Sequence, residues 1–275
     1  MTSQPDYAIT FACYNQVEYT RRCVDSLLAT GVDPARIVVV DNGSADDTRP
    51  YLESLKLGRC VFNRGNLGCG VAWNQGALAL QAEWTVVMNN DVVVTPGWLG
   101  ALIDCARQHE LKLVCPAMIE GALDYDHIAF ASDATRRMKG ALRAGDRHAV
   151  CMLIHASVWM DIGYFRSVPK LFGFEDTLFF DEIRKAGIAV GITSTSWLHH
   201  FGSVTQSAMK RELKLSARDG LGARNNKALL NQSWAQRKLL KLRRNRQLRA
   251  WRDEELTAYG LTMHGERRNG AFHWL

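Results

Sequence analysis

The sequence has 275 residues, which suits one α/β domain with an appended segment, and its hydrophobic fraction of 47% is typical of a globular protein. No stretch reaches the ~18 consecutive apolar residues of a membrane span, and the polar residues 1–6 do not resemble a signal peptide. Seven cysteines without a Cys-x-x-Cys pair indicate reduced thiols, not a disulfide framework or a zinc site, so we expect a cytoplasmic protein.

The net charge of +6 is unevenly distributed along the sequence. Residues 206–252 contain 14 Lys and Arg but only 2 Asp and Glu, a local charge of +12, so the rest of the chain carries −6. This contrast favours an anionic partner for the basic segment, either the inner face of a membrane or nucleic acid. The alternative is that the segment is a solvated helix face, which has the same composition.

The first half alternates between predicted strands and helices. Short apolar and β-branched runs predict strands, and apolar residues at helical spacing predict the helices between them. The strands are predicted at 7–13, 37–40, 60–62 and 84–88, and the helices at 17–30, from about 46 to 55, at 71–81 and at 96–109. This alternation is typical of a mostly parallel sheet with helices on both faces, in which ligands bind outside the carboxyl ends of the strands.

The second half is less regular. The polar residues 124–146 suggest a flexible loop. Further patterns predict strands at 150–155 and 188–192, short helices at 157–162 and up to residue 186, and a basic helical segment from 206 to about 255.

The triplet Asn89-Asn90-Asp91 follows the fourth predicted strand. A carboxylate beside amide oxygens at a strand end can bind a divalent cation that bridges substrate phosphates. The same residue types also favour a simple turn.

A glycine-rich loop follows the third predicted strand. Gly65, Gly68 and Gly70 allow close approach of the backbone to a ligand, and Arg64 can pair with phosphate oxygens. The loop lacks the Gly-Lys-Ser/Thr ending of a P-loop.

Two further pairs of residues are candidates for chemistry. Glu175 and Asp176 stand at a helix start in an apolar setting, where they either supply a general base or complement the helix dipole. His199 and His200 follow the last predicted strand, and a neutral imidazole can bind a metal.

The order of these motifs resembles the family 2 glycosyltransferases of the GT-A fold, over roughly residues 7–205. The matching segments are Thr10 with Tyr14-Asn15, Asp41-Asn42-Gly43-Ser44, Asn66-Leu67-Gly68 through Asn74-Gln75-Gly76, Asn89-Asn90-Asp91, Gly163-Tyr164-Phe165 through Phe174-Glu175-Asp176, and His200. The resemblance implies an α/β, Rossmann-like domain at 1–205, with a nucleotide-sugar half at 1–110 and an acceptor half at 111–205. Residues 206–275 would form a basic helical C-terminal extension.

The resemblance also implies roles for individual residues. Asp176, with Glu175, would act as the catalytic base of an inverting transfer, and Asp91 with His200 or His199 would hold Mn²⁺ or Mg²⁺. The residues expected to bind the nucleotide sugar, a UDP- or dTDP-sugar, are Thr10, Cys13, Tyr14, Asn15, Asp41, Asn42, Arg64, Asn66, Gly68, Asn74, Asn89 and Asn90. The acceptor would be a glycan or a lipid-linked glycan.

The sequence departs from the family pattern at two places. The usual Asp-x-Asp triplet is Asn-Asn-Asp in this sequence. Leu178 and Glu182 stand where the family often has an acidic residue and an arginine.

Three alternatives to this function stay open: the same chemistry on a nucleic-acid acceptor, a nucleotidyltransferase, and a non-catalytic binding module. The first predicted strand lacks the basic glycine-rich loop that a nucleotidyltransferase usually needs.

Overall fold

The computed structural model describes residues 6–166, 174–212 and 230–275, and its strands form one sheet in a mixed α/β fold. The strands are β1 (Tyr7–Cys13), β2 (Ile37–Asp41), β3 (Arg59–Phe62), β4 (Trp84–Asn89), β5 (Val92–Val94), β6 (Leu113–Gly121), β7 (Leu142–Ala144), β8 (Cys151–His155), β9 (Val190–His200), β10 (His264–Arg268) and β11 (Ala271–Trp274). The helices are α1 (Val17–Ala29), α2 (Thr48–Glu53), α3 (Cys69–Ala79), α4 (Trp98–Gln108), α5 (His127–Met138), α6 (Ala156–Ile162), α7 (Glu175–Lys185), α8 (Val204–Glu212) and α9 (Trp234–Tyr259).

The first half of the sheet is parallel, in the order β3-β2-β1-β4. Alternate residues of β4 face two cores: Val86 and Met88 belong to the core that contains α1 and α4, and Val87 belongs to the core that contains Trp73 of α3. Because the strands are parallel and covered on both faces, their polar carboxyl ends meet at one edge.

The second half of the sheet is mixed. β8 lies antiparallel between β4 and β6, and β9 runs parallel to β6. The strand predicted at 188–192 continues as β9 to His200, where Val92 of β5 pairs with it. This pairing places the end of β9 beside the residues that follow β4.

The prediction of a flexible loop at 124–146 is wrong, because this stretch contains the helix α5 and the strand β7. The Asp126 carboxylate accepts the Ile128 and Ala129 N–H groups at 3.1 and 3.0 Å and caps the helix. Its buried residues, Ala131, Ala134 and Met138, follow helical spacing, which the polar residues between them conceal in the sequence.

The described parts of the basic segment after β9 contain the helices α8 and α9, and residues 213–229 lie outside the described residues. A buried ion pair fixes α9 to the sheet, with Arg143 Nε and Nη2 donating to the Glu255 carboxylate at 2.6 and 2.8 Å. The residues that follow form β10 and β11, and β10 pairs in parallel with β6. The helix-forming composition did not predict these strands. No described helix has the length and apolarity needed to cross a membrane.

Candidate active site

A cavity of about 150 Å³ opens at the carboxyl edge of β1, β2 and β4. Its lining includes Cys13, Tyr14, Asn42, Asn66, Asn89, Asn90, Asp91 and Glu175, which the sequence had singled out. The opposite side of the cavity is closed by the segment after β9. Three residues of this segment that had not been predicted line the cavity: Ser203, Thr205 and Met209. Residues from five separate motifs therefore face one space.

The loops after β1 and β2 are tied to each other. Asn15 adopts a left-handed backbone conformation (φ 53°), its N–H donates to Ser44 Oγ at 2.8 Å, and its Oδ1 accepts the Ala45 N–H at 2.8 Å. The buried Asp41 carboxylate accepts the Ser44 N–H at 3.0 Å. Asn15 and Asp41 lie outside the lining given above, and they hold the loops that carry Tyr14 and Asn42.

Asn42 organises the glycine-rich loop. Its amide donates to Asn66 Oδ1 at 2.9 Å and to the Gly68 carbonyl at 3.3 Å, and its own Oδ1 accepts the Leu67 N–H at 3.1 Å. Gly68 has φ +90° and directly precedes α3, a conformation that suits glycine. The loop is thus held in shape by side chains that also line the cavity.

The lining also leaves out Thr10, Arg64 and Asn74, which were predicted to bind the nucleotide sugar. Thr10 packs on α3, where a Cβ added to Gly76 would lie 1.7 Å from Thr10 Oγ1. Asn74 donates to the Phe165 carbonyl at 2.7 Å and accepts the Phe165 N–H at 2.9 Å. Arg64 is exposed. Thr10 and Asn74 thus have packing and anchoring contacts within the fold.

Asp91 lies at the centre of the predicted metal site and is only 4% exposed. Its Oδ1 is 3.3 Å from His200 Nε2, and its Oδ2 accepts the Val204 N–H at 3.3 Å. Asn89 Nδ2 lies 3.5 Å from the same imidazole nitrogen. Asn90 instead donates to Thr20 Oγ1 at 2.9 Å, which anchors the turn to α1.

The two adjacent histidines face opposite sides of β9, as neighbouring strand residues do. His199 lies away from Asp91: its Nε2 donates to the Gly121 carbonyl at 3.1 Å, and Nδ1 accepts the Tyr125 hydroxyl at 3.0 Å. Burial lowers the pKa of His199 to about 4, so it is neutral. The geometry therefore associates His200, and not His199, with Asp91.

His200 is held from behind by a residue that the sequence analysis missed. Its Nδ1 donates to Glu120 at 2.8 Å, and the other Glu120 oxygen accepts from His264 of β10 at 3.2 Å. Burial lowers the pKa of His200, but the hydrogen bonds to Asp91 and Glu120 outweigh it and raise the pKa to about 9. A divalent cation at Nε2 would compete with this proton. Glu120 is the penultimate residue of β6, a strand that the sequence analysis did not predict, so the strand-end criterion was not applied to it.

The donor set at Asp91 fits a cation that keeps other ligands. Among the described residues, no group of three or more His, Cys, Asp and Glu side chains is arranged to hold a metal ion. Mg²⁺ commonly binds through one or two carboxylates and completes its shell with water and substrate phosphates. Asp91 and His200 can provide such a partial set.

The two carboxylates at the start of α7 point into different spaces. Glu175 is 5% exposed and lines the cavity with Asp91. Asp176 lines a second, larger cavity between α7 and α9, and its Oδ1 accepts the Thr177 N–H at 2.7 Å. Consecutive helix residues point about 100° apart, which explains the separation.

Known proteins share both the sequence pattern and the fold. The profile described as Glycosyl transferase family 2 matches residues 9–168, more than half of the chain. The N-acetylglucosaminyl-diphospho-decaprenol L-rhamnosyltransferase of Mycobacterium tuberculosis is 26% identical over 71% of this chain and 75% of its own length. Uncharacterized glycosyltransferases of Rickettsia species are 28–33% identical, but the matched region is only about a third of their length or less.

Solved structures agree at the level of the fold. S. aureus TarS (residues 1–349, with UDP-GlcNAc) has a TM-score of 0.53 at 17% identity, covering 72% of this chain and 61% of that one. GalNAc-T7 with UDP, GalNAc and Mn²⁺ has a TM-score of 0.57 at 13% identity, covering 73% and 44%. The family profile and the relative from M. tuberculosis favour a glycosyltransferase over the nucleotidyltransferase and the binding module. The chain belongs to glycosyltransferase family 2.

Proposed function

We propose that the protein transfers a sugar from a nucleoside-diphosphate sugar to a hydroxyl of a glycan or lipid-linked acceptor, with inversion at the anomeric carbon. The observation that carries this proposal is that Asp91 Oδ1 lies 3.3 Å from His200 Nε2 in the wall of a cavity that Glu175 also lines. UDP and UDP-GlcNAc are bound in TarS, and UDP with Mn²⁺ in GalNAc-T7. A UDP-sugar or dTDP-sugar is therefore the donor that we propose.

The cavity edge provides the contacts for the nucleotide. In this proposal Tyr14 contacts the base, and the amides of Asn42 and Asn66 and the backbone of Gly68 face the ribose and diphosphate. Arg64 is exposed in the same loop, and in this proposal its guanidinium pairs with the diphosphate of the donor. Glu175 faces the donor sugar.

Asp91 and His200 would hold Mn²⁺ or Mg²⁺, with Glu120 orienting the imidazole from its other nitrogen. The bound cation would act as a Lewis acid toward the leaving diphosphate. The buried position of both side chains excludes bulk water from that side of the site and strengthens their electrostatic interaction with the donor.

Asp176 is the proposed base, because it lines the neighbouring cavity from which an acceptor would approach. Its carboxylate takes the proton of the acceptor hydroxyl as the acceptor oxygen forms a bond to the anomeric carbon. The bond from that carbon to the diphosphate breaks on the opposite face, and the nucleoside diphosphate leaves with its electron pair. One displacement of this kind inverts the anomeric configuration.

The test is release of nucleoside diphosphate from a panel of UDP- and dTDP-sugars, with Mn²⁺ or with EDTA. We expect release from at least one donor with Mn²⁺, and its loss with EDTA and in Asp91→Ala. The matched control is Asp104→Ala, an exposed carboxylate on α4, which should behave as the wild type. Equal release with EDTA would refute metal dependence, and no release from any donor would refute the donor class.

A further inference from the structure

The second cavity has a volume of about 790 Å³ and lies between α7, the segment 145–149 and α9. Its size falls in the range of about 300–1,000 Å³ of small-ligand sites. Asp176 forms part of its wall, and the adjacent Glu175 lines the donor cavity. We refer to this second cavity as the α7–α9 groove.

The α7–α9 groove carries an excess of positive charge. Among the described residues, its basic side chains are Arg147, Arg184, Arg237, Lys241, Arg243 and Arg244, and its carboxylates are Asp146, Asp176 and Asp181. Two of the cations are already paired, Arg184 with Asp181 at 2.8 Å and Arg244 with Asp146 at 3.9 Å. Lys241 makes no ion pair within the described part of the chain.

Arg147 has an unsatisfied hydrogen-bond donor in the wall of the groove. Its Nε is buried and has no hydrogen-bond acceptor among the residues that the structure describes, while its Nη1 donates to the Gly145 carbonyl at 2.9 Å. Burial, and then the charge of Arg244, lower the pKa of the Arg147 guanidinium. The unpaired Nε and the nearby charge of Arg244 leave positive charge on this side of the groove that an anion would offset.

The other walls of the groove are aromatic and apolar. Phe174, Phe180 and Trp251 line it, and the Arg147 guanidinium lies 5.2 Å from the Phe180 ring centroid. Apolar walls with a few placed charges suit a compact ligand that has both an uncharged body and an anionic group. Duplex nucleic acid, in contrast, usually contacts about 1,000–2,500 Å² of protein surface.

We propose that the α7–α9 groove binds a phosphate group of the acceptor and thereby delivers a nearby acceptor hydroxyl to Asp176. This inference rests on the proposed function and names the class of acceptor, a saccharide that carries a phosphate or diphosphate. The relative from M. tuberculosis is named for a diphosphate-linked acceptor, which fits this chemistry. The phosphate can belong to the diphosphate of a lipid carrier or to a phosphodiester in a polymer.

The test compares two double variants of α9 that remove the same charge. Lys241→Gln/Arg244→Gln changes the groove, and Arg246→Gln/Arg249→Gln changes exposed residues of the same helix outside the lining described above. Binding of geranyl diphosphate and of a glycerol-phosphate oligomer is measured by calorimetry in EDTA, so that cations do not contribute. We expect the first variant to weaken binding of at least one probe about tenfold or more, and the second to change it less than about twofold.

The two probes distinguish a lipid diphosphate from a polymer phosphodiester. Equal losses in both double variants, absence of binding to either probe, or tighter binding of a short DNA duplex than of both probes would each overturn the proposal. Wild-type release of nucleoside diphosphate in the absence of an acceptor is measured in parallel with Mn²⁺. Failure of that release alone would refute the proposed function and not the anion site.

Discussion

The first part of the chain, residues 6–110, and the part from β9 to β11 build the same site in different ways. In the first part, side chains such as Tyr14, Asn42 and Asp91 meet because parallel strands end at one edge. From the later part come His200 and His264, whose positions depend on strand pairings between distant segments. The first arrangement follows from local pattern, and the second requires the complete sheet.

The largest expected effect is that of Asp176→Asn on sugar transfer. Loss of a general base typically lowers the rate by about 10²–10⁴-fold, so kcat should fall by this factor while donor binding is retained. Steady-state kinetics with donor and acceptor measure the change. Glu182→Gln, an exposed carboxylate on the same helix, serves as the control. If Glu175→Gln alone reduces kcat and Asp176→Asn does not, the base is Glu175.

The next effect concerns the attachment of α9. Glu255→Ala should lower the free energy of unfolding by about 3–5 kcal/mol, because the buried Arg143 guanidinium loses its closest carboxylate. Urea denaturation measures the change. The neighbouring Glu254→Ala is exposed and should alter stability by less than about 0.5 kcal/mol. Equal effects would mean that α9 is not fixed to the sheet through this pair.

Glu120→Gln tests the contribution of β6 and β10 to the proposed metal site. Residues that orient a metal-binding histidine typically contribute about 10–100-fold in metal affinity, so the Mn²⁺ concentration for half-maximal activity should rise by that factor. His264→Gln should have a smaller effect in the same direction, because it contacts Glu120 and not His200. An unchanged Mn²⁺ dependence, or one shifted only by His264→Gln, would contradict this role.

The smallest expected effect is in the packing of α3 on β1. Gly76→Ala should destabilise the protein by about 1–3 kcal/mol, since the added Cβ would overlap Thr10 Oγ1. Thermal unfolding measures this, and Thr10→Ala should partly restore stability in the double variant. Gly100→Ala, in an exposed position of α4 without a neighbour within 4 Å, should not destabilise. Impaired donor binding without lost stability in Gly76→Ala would instead assign Thr10 to the donor site.

The elements and residues that could be predicted from the sequence follow the same division. The four parallel strands and the helices between them were predicted within a few residues, because buried β-branched runs and turn residues mark them locally. α5 was missed because its apolar face is narrow, and β10 because its pairing with β6 leaves no local signal. Asp91 and His200 were matched through the family resemblance, whereas Glu120 is recognised only once His200 and His264 lie on either side of it.

The contact between Glu120 and His264 spans 144 residues, and that between Asp91 and Val204 spans 113. Contacts of such sequence separation form late and make folding slow. The hydrogen bonds that hold His200 through Glu120 should therefore be complete only after β10 has paired with β6. Recovery of Mn²⁺-dependent donor binding during refolding would then report the last step of folding, while recovery of helical circular dichroism would precede it.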